Sequence, residues 1–334
     1  MTAQGSGSDG ASGPAGREEV VADVGEFGLI DRVHRVSGTH RRVLIGPGDD
    51  AAHVRTHDGT FVVSTDLLVE GRHFRRDWSS ALEIGRKAAA ANLSDVNAMG
   101  GVATALTVGL GVPPSTPSAW VVELARGFEQ EASLVGAHVV GGDMTSSDVV
   151  VVAVTVMGDA PRPVRRGGAL PGDVVAVAGR LGWSAAGLAA LSRGFRSPRA
   201  AVEAHRCPQP PYASGPAAAD AGATAMIDVS DGLLADLGHV ATASGVVVDL
   251  DTSRLTVDAP VATVAEALGT DPLAMVLTGG EDYALAATFS AVTDLPHGWV
   301  RVGVVRDADV PGGTPGVLVD GAPWEGESGW QHWR

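Results

Sequence analysis

The sequence predicts an α/β fold with mixed sheets in two domains, and three observations support this prediction. The chain has 334 residues, more than the roughly 100–200 residues of one typical domain. Short apolar runs typical of strands alternate along it with stretches whose apolar residues recur at helical spacing. A segment rich in Pro, Gly and Arg, residues 158–173, interrupts the alternation. We therefore predict an N-terminal domain over residues 20–159 and a C-terminal domain over residues 160–334.

The predicted elements follow from apolar spacing, capping residues and turn residues. Ser80 and Ser118 can each cap the first turn of a helix, and Gly100 can end the first of these helices. Asp320-Gly321 between apolar runs predicts a hairpin. The helices are predicted over 26–36, 80–99, 118–132 and 232–243, and the strands over 43–45, 61–65, 102–110, 137–140, 149–157, 174–178, 225–227 and 246–250.

Composition excludes several classes of protein. Residues 1–19 are dominated by Gly, Ser and Ala and lack a signal-peptide pattern, so we predict a disordered tail. The single cysteine, Cys207, excludes an intramolecular disulfide, and we expect a cytoplasmic protein. The net charge of −15 repels nucleic acid, and the longest apolar run, residues 149–157, is far shorter than the ~20 residues that span a bilayer. We expect neither nucleic acid nor membrane as a partner.

Acidic residues recur in one local setting, directly after an apolar run at the expected end of a strand. Asp66, Asp143 and Asp228 all have this setting. In open α/β sheets the strand ends form the usual ligand crevice. Carboxylates and hydroxyls without histidine or cysteine suit magnesium rather than zinc. The pattern predicts a site where magnesium ions meet phosphates.

Each of these motifs also has a purely structural interpretation. Asp49-Asp50 can be a solvated turn, or a pair of repelling carboxylates that metal coordination stabilises. We favour Asp49 as a ligand and leave open whether Asp50 is a second one. The other structural interpretations are helix capping for Ser230 and Asp231, a tight turn for Gly141-Gly142, a solvated helix residue for Asp95, a solvated linker for Arg166, a surface histidine for His73 and an aromatic that covers core for Trp330.

Seven motifs occur in order along the chain: IGPGDDAA (45–52), STDLLVEGRHF (64–74), NLSDVNAMGG (92–101), VVGGDMT (139–145), RRGGALPGD (165–173), MIDVSDGL (226–233) and TGGEDYAL (278–285). In this order they resemble the thiamine-monophosphate kinase family, which belongs to the superfamily of aminoimidazole ribonucleotide synthetase. The resemblance spans residues 24–333 and implies the two-domain fold of that superfamily. It also implies ATP-dependent phosphorylation of thiamine monophosphate, several Mg²⁺ ions, and a homodimer joined through the N-terminal domains.

The resemblance further implies roles for individual residues by motif match. The implied metal ligands are Asp49, Ser64, Thr65, Asp66, Asp95, Asp143, Asp228 and Asp231; the implied ATP contacts are Gly142, Asp143, Arg166 and Ser230; and the implied contacts to the thiamine moiety are His73, Glu281 and Trp330.

The chemistry of this reaction needs no general base. A phosphate monoester is already anionic near pH 7, since its second pKa is about 6. Two anions must nevertheless meet, and two unit charges 4 Å apart repel by about 4 kcal/mol at an effective dielectric near 20. Several magnesium ions held by the aspartates would offset this repulsion. We therefore predict direct phosphoryl transfer between substrates clamped by metal ions.

Two other functions are open. One is another ATP-dependent enzyme of the same superfamily. The selenophosphate synthetases carry a reactive cysteine or selenocysteine near the N-terminus and the hydrogenase-maturation members end in a cysteine tail, whereas this chain has only Cys207 and ends in His332-Trp333-Arg334. An activity like that of aminoimidazole ribonucleotide synthetase is harder to exclude. The second is a nucleotide- or metal-binding homologue without catalysis, against which the intact aspartates argue.

Overall fold

The computed structural model describes residues 19–24, 28–29, 32–33, 35–36, 41–45, 53–308 and 314–329. Most of the predicted tail, the pair Asp49-Asp50 and Trp330 lie outside these residues, as does part of the predicted helix 26–36. The described residues form two large mixed sheets with helices, so the predicted α/β class is confirmed. The two sheets come from opposite sides of the predicted boundary at residues 159 and 160, and the division into domains stays a prediction.

The N-terminal half forms a four-stranded sheet with one covered and one open face. Its strand order is β3-β6-β4-β5; only β4 and β5 are parallel. Alternate side chains of β6, including Val152 and Val154, are fully buried under helices. The elements are α1 (Val21–Val24), the antiparallel pair β1 (Val43–Ile45) and β2 (His53–Val54), β3 (Val62–Val69), α2 (Ala81–Ala98), β4 (Val102–Val112), α3 (Ser118–Ser133), β5 (His138–Ser146) and β6 (Val151–Asp159).

Helix α2 is the central element of the molecule, and it begins as the sequence predicts. Ser80 Oγ accepts a hydrogen bond from Glu83 N at 3.3 Å, while Glu83 Oε2 accepts one from Ser80 N at 2.7 Å. The helix packs closely against α3. A Cβ on Gly85 would lie only 2.1 Å from the Leu124 carbonyl oxygen, so the absence of a side chain at Gly85 permits this approach. The predicted cap of α3 is wrong: Pro117 precedes that helix, and Ser118 Oγ donates to Glu19 instead.

The C-terminal half forms a seven-stranded sheet in the order β13-β12-β9-β11-β7-β10-β8. Asp320 and Gly321 have φ angles of 51° and 79°, so the predicted hairpin is confirmed as a turn with two positive φ values. The elements are β7 (Val174–Ala178), α4 (Trp183–Ser192), α5 (Arg199–Arg206), α6 (Ser214–Asp220), β8 (Ala225–Val229), α7 (Leu233–Ser244), β9 (Val246–Leu250), α8 (Ala259–Leu268), α9 (Pro272–Thr278), β10 (Ala284–Phe289), β11 (Trp299–Asp307), β12 (Gly316–Val319) and β13 (Ala322–Pro323).

Two carboxylates predicted at strand ends lie inside strands. β3 continues past Asp66 to Val69, and β5 continues past Asp143 to Ser146. The expectation was wrong because polar residues can occupy alternate positions of a strand while its backbone stays paired with a neighbour. Only Asp228, next to last in β8, is close to the predicted position.

Within the described part of the chain, none of the helices has the length and apolar content to cross a membrane alone. The bent pair α8 and α9 meets the same length and composition test when the two helices are taken together.

Candidate active site

Helix α2 brings together polar residues from both sheets. Ser64 and Asp66 lie on the face of β3 that packs on α2, and Ser64 Oγ donates to Asp95 Oδ2 at 2.6 Å. The preceding residue on the helix, Ser94, donates its Oγ to Asp228 Oδ2 at 3.0 Å. The helix thus connects β3 in the N-terminal half with β8 in the C-terminal half. We call Asp66, Asp95 and Asp228 the inner carboxylate group.

The inner carboxylate group is short of positive charge. Burial raises the pKa of Asp95 to about 7, and repulsion from Asp228 and Asp66 adds to this effect. Burial likewise raises the pKa of Asp228 to about 7, with further repulsion from Asp236 and Asp66. The Arg166 guanidinium lowers both pKa values but does not offset the increase. The predicted ATP contact Arg166 therefore acts on this group, although its side chain is exposed.

Two predicted metal ligands lie on the other face of the same sheet. Thr65 Oγ1 is 2.8 Å from Thr155 Oγ1, on the open face, because neighbouring strand residues point to opposite faces. Asp143 pairs with Gly109 of β4, Gly109 pairs with Ala153 of β6, and Ala153 pairs with Leu67 of β3. This row of residues lies on the open face as well. Asp143 is three strand spacings, about 14 Å, from β3. The seven implied ligands that the structure describes therefore do not form one cluster within one chain.

The predicted ATP contact Gly142 has a packing role in the sheet. A Cβ at this position would lie 2.1 Å from the Val108 carbonyl oxygen, so glycine lets β5 approach β4 closely. At Gly141 a Cβ would meet only Thr107, 4.0 Å away. The tight-turn interpretation of this glycine pair is wrong, since both residues lie within β5.

The Ser230-Asp231 loop is held by Asp236, which sequence reasoning did not single out. Asp236 Oδ2 accepts hydrogen bonds from the backbone N–H groups of Ser230, Asp231 and Gly232, each at 3.0 Å. No side chain at the N-cap position caps α7, so the capping interpretation of Ser230 and Asp231 is wrong. An acidic residue in the first turn of a predicted helix was the available signal, because the first N–H groups there lack helical partners.

The structure brings His73 and Glu281 together through a lysine. Lys87 Nζ lies 2.8 Å from Glu281 Oε1 and donates to the His73 carbonyl oxygen at 3.1 Å. His73 is fixed by its ring as well, since Nδ1 accepts a hydrogen bond from Val69 N at 3.0 Å. Lys87 is 2 % exposed on α2 and was missed from the sequence, because a lysine in an alanine-rich helix gives no sign of its partner.

The donor set at the inner carboxylate group fits Mg²⁺ shared with phosphates. Among the described residues, no three His, Cys, Asp or Glu side chains are arranged to hold a metal ion by themselves. Mg²⁺ commonly takes one or two carboxylates and completes its octahedron with water and substrate phosphates. Asp66, Asp95 and Asp228, with the hydroxyls of Ser64 and Ser94, supply oxygen donors whose mutual repulsion a cation would relieve.

Known proteins share this sequence over most of its length. Residues 48–160 match the family model of the AIR synthase related protein, N-terminal domain. The thiamine-monophosphate kinase of Mycobacterium tuberculosis is 51% identical over 311 residues, which are 92% of this chain and 91% of the relative. The thiamine-monophosphate kinase of Corynebacterium glutamicum is 39% identical over 295 residues, covering 85% of this chain and 87% of the relative.

Solved structures share the fold. A structure of AaThiL complexed with AMPPCP and TMP superposes with a TM-score of 0.76 at 29% identity, covering 93% of this chain and 98% of that one. Thiamine monophosphate kinase from Aquifex aeolicus gives a TM-score of 0.74 at 31% identity, covering 80% and 90% of the two chains. The hydrogenase maturation protein HypE in complex with ATP gives 0.69 at 17% identity over 90% of this chain and 89% of that one, a likeness of fold alone.

Proposed function

Because the chain belongs to the thiamine-monophosphate kinase family, it phosphorylates thiamine monophosphate with ATP, and we propose that the transfer is direct and assisted by Mg²⁺. The products are thiamine diphosphate and ADP. The observation that carries the proposal is the inner carboxylate group, which collects oxygen donors from both halves of the molecule at a point short of positive charge. Phosphoryl transfer depends on positioning and on charge compensation of this kind.

The residues of the site have roles in binding and orientation rather than in proton transfer. Asp66, Asp95 and Asp228 would hold the metal, which when bound neutralises the charge that the two phosphate-bearing substrates bring together. Ser64 and Ser94 fix the orientation of two of these carboxylates through hydrogen bonds. The acceptor phosphate is itself the nucleophile, since it is anionic near neutral pH. No residue has to remove a proton from it.

We assign five further predicted residues to the two substrates and the metal. Arg166 and Ser230 would contact the ATP phosphates, with Asp231 beside them as a further metal ligand. His73 and Glu281 would meet the thiamine moiety, since Lys87 already holds these two residues together. The proposal also includes Asp49 as a metal ligand and Trp330 as a contact to the thiamine moiety. In support of Trp330, the preceding Gly329 packs against the Ser230-Asp231 loop, where a Cβ would lie 2.5 Å from Asp231 O.

The test of this function is ADP formation by the purified chain with ATP, Mg²⁺ and thiamine monophosphate, measured by chromatography of quenched samples. We expect ADP to form only when all three are present, and thiamine diphosphate to appear in equal amount by chromatography. ADP formation that does not depend on thiamine monophosphate, or that persists in EDTA, would contradict the proposal.

We also propose that the chain forms a homodimer through the open face of the four-stranded sheet. Phe61, Val63 and Leu67 lie on this face with 54%, 58% and 55% of their surface exposed. Several large apolar side chains exposed along one strand indicate an interface. The partner that the family resemblance implies is a second copy of the same chain.

The dimer is expected to dissociate when a charge is placed on this face. Leu67→Asp would bury an unpaired carboxylate at the interface, so we expect light scattering to give the 33.8 kDa chain mass instead of twice that mass. Val292→Asp is the control, because Val292 is 91% exposed in a loop away from the sheet. A dimeric Leu67→Asp variant, or a monomeric wild type, would contradict this assignment.

A further proposal concerns the cellular location. We propose that the chain is cytoplasmic, on the basis of its single cysteine and of the cytoplasmic supply of ATP that its reaction requires.

A further inference from the structure

Lys87 is a buried cation whose partners belong to different parts of the molecule. It lies on α2, which packs on the four-stranded sheet, yet its Nζ is 2.8 Å from Oε1 of Glu281 in the loop before β10. The same Nζ donates to the His73 carbonyl oxygen at 3.1 Å. Burying a lysine this deeply is costly unless its charge is paired and hydrogen-bonded. Both conditions are met here, and both partners belong to the proposed thiamine subsite.

The backbone fixes Glu281 as firmly as the lysine does. Its φ is 63°, a left-handed conformation that is unusual for a residue other than glycine. Its N–H donates to the Ser230 carbonyl oxygen at 2.8 Å. A Cβ on the preceding Gly280 would lie 2.4 Å from that same oxygen, so the two loops are in close contact. The side chain of Glu281 therefore starts from a fixed backbone.

The second carboxylate oxygen of Glu281 faces a neutral group. Oε2 lies 3.5 Å from Nδ1 of His205, which pairs instead with Ser184 Oγ at 3.0 Å. Burial, and then the charge of Lys87, lower the pKa of His205 to about 3, so the ring carries no charge near neutral pH. Glu281 itself is 27% exposed at its side chain. Because Lys87 occupies Oε1, Oε2 is the oxygen left to accept a hydrogen bond from a ligand.

We infer that Lys87 is a positioning residue for the acceptor substrate: by occupying Oε1 it orients the Glu281 carboxylate so that Oε2 accepts a hydrogen bond from the thiamine moiety. The aminopyrimidine ring of thiamine carries N–H donors of the required kind. The inference rests on the proposed function and on the proposed role of Glu281. It assigns to Lys87 no contact with either substrate.

The test is a double-mutant cycle followed by steady-state kinetics. We expect Lys87→Met and Glu281→Gln each to raise KM for thiamine monophosphate about tenfold, while KM for ATP stays within about twofold. The double variant should be no worse than Glu281→Gln, because the inference assigns the effect of Lys87 on the acceptor to Glu281 and none of it to the hydrogen bond with the His73 carbonyl oxygen. Arg86→Met is the matched control: it removes a pair with the buried Glu131 from the same helix and should leave KM for thiamine monophosphate unchanged.

Three results would overturn the inference: an unchanged KM for thiamine monophosphate in Lys87→Met, an equal rise in both KM values, or multiplicative effects in the double variant. If Lys87→Met does not fold, Lys87→Gln replaces it, because the amide is uncharged and one bond shorter than the lysine and so holds Oε1 more weakly. For that variant we expect a rise of about threefold, and no rise would overturn the inference. A wild type without turnover of thiamine monophosphate would overturn the proposed function and this inference with it, whereas an active wild type separates the two.

Discussion

Asp228→Asn is expected to lower kcat by about a thousandfold or more while leaving the fold intact. The substitution removes one charge from the inner carboxylate group, so the developing charge of the transferring phosphoryl group loses part of its metal clamp. The hydrogen bond from Ser94 Oγ can persist, since the amide oxygen of asparagine accepts it as the carboxylate does. Asp66→Asn should have an effect of similar size. Stopped-flow or steady-state kinetics at saturating ATP and Mg²⁺ measure both.

Asp249→Asn is the matched control for Asp228→Asn. Both residues are 5% exposed and next to last in a strand of the seven-stranded sheet. They differ in their surroundings, because Asp249 forms an ion pair with Arg306, whereas Asp228 lies near other carboxylates. We expect its kcat to stay within about twofold of the wild type. Turnover near the wild-type value in both Asp228→Asn and Asp66→Asn would contradict the role of the inner carboxylate group.

In the metal-free protein, Asp228→Asn should raise the free energy of unfolding at alkaline pH, although it lowers kcat. The folded-state pKa of Asp228 is raised from 3.8 to about 7, so the folded chain binds a proton that the unfolded chain releases between these values. Wild-type stability in EDTA therefore falls as pH rises through this window. At pH 8 we expect Asp228→Asn to be more stable than the wild type by at least about 1 kcal/mol, and at pH 4 to be equal to it. Urea titrations at the two pH values check this.

Thiamine is expected to be a poor acceptor, with kcat/KM at least about a thousandfold below that of thiamine monophosphate. A hydroxyl acceptor would need a general base, and the described histidines of the site have other partners: His73 Nδ1 accepts from Val69 N, and His205 is neutral and bonded to Ser184. Thiamine also lacks the anionic oxygens that would share the metal ions. The measurement is ADP release with each acceptor at the same concentration.

The same assay separates the members of the superfamily. An aminoimidazole ribonucleotide precursor in a parallel sample should release no ADP above background. Comparable turnover with thiamine and its monophosphate would contradict the acceptor assignment. Turnover with the aminoimidazole precursor alone would instead place the chain with the synthetases of the superfamily.

Local signals in the sequence were sufficient for much of the fold. The cap at Ser80 and the turn at Asp320-Gly321 depend on residues close in sequence, and both occur as predicted. The prediction for Ser118 failed because its hydroxyl accepts a hydrogen bond from Arg32 and donates one to Glu19, and both partners are far away in sequence. Capping is predictable when the competing partners are local.

The candidate site was harder to predict, because its geometry depends on strand register. Motif match named Ser64, Thr65 and Asp66 together, but the alternation of a strand sends the middle residue to the opposite face. Lys87 could not be found from the sequence, since its partner Glu281 is brought to it only by the packing of two sheets around α2. The residue types were sufficient to predict the chemistry, but only the folded structure shows which of these residues lie close together.

Direct transfer from ATP to thiamine monophosphate is tested most directly by a single turnover with ATP labelled at the γ-phosphorus. The enzyme is mixed in excess over labelled ATP with Mg²⁺ and thiamine monophosphate, and acid-quenched samples are separated into protein, nucleotide and thiamine fractions. We predict that the label passes from ATP to thiamine diphosphate at one rate, with none in the protein fraction at any time. Label that appears first in the protein, or that ends in inorganic phosphate without thiamine diphosphate, would contradict direct transfer.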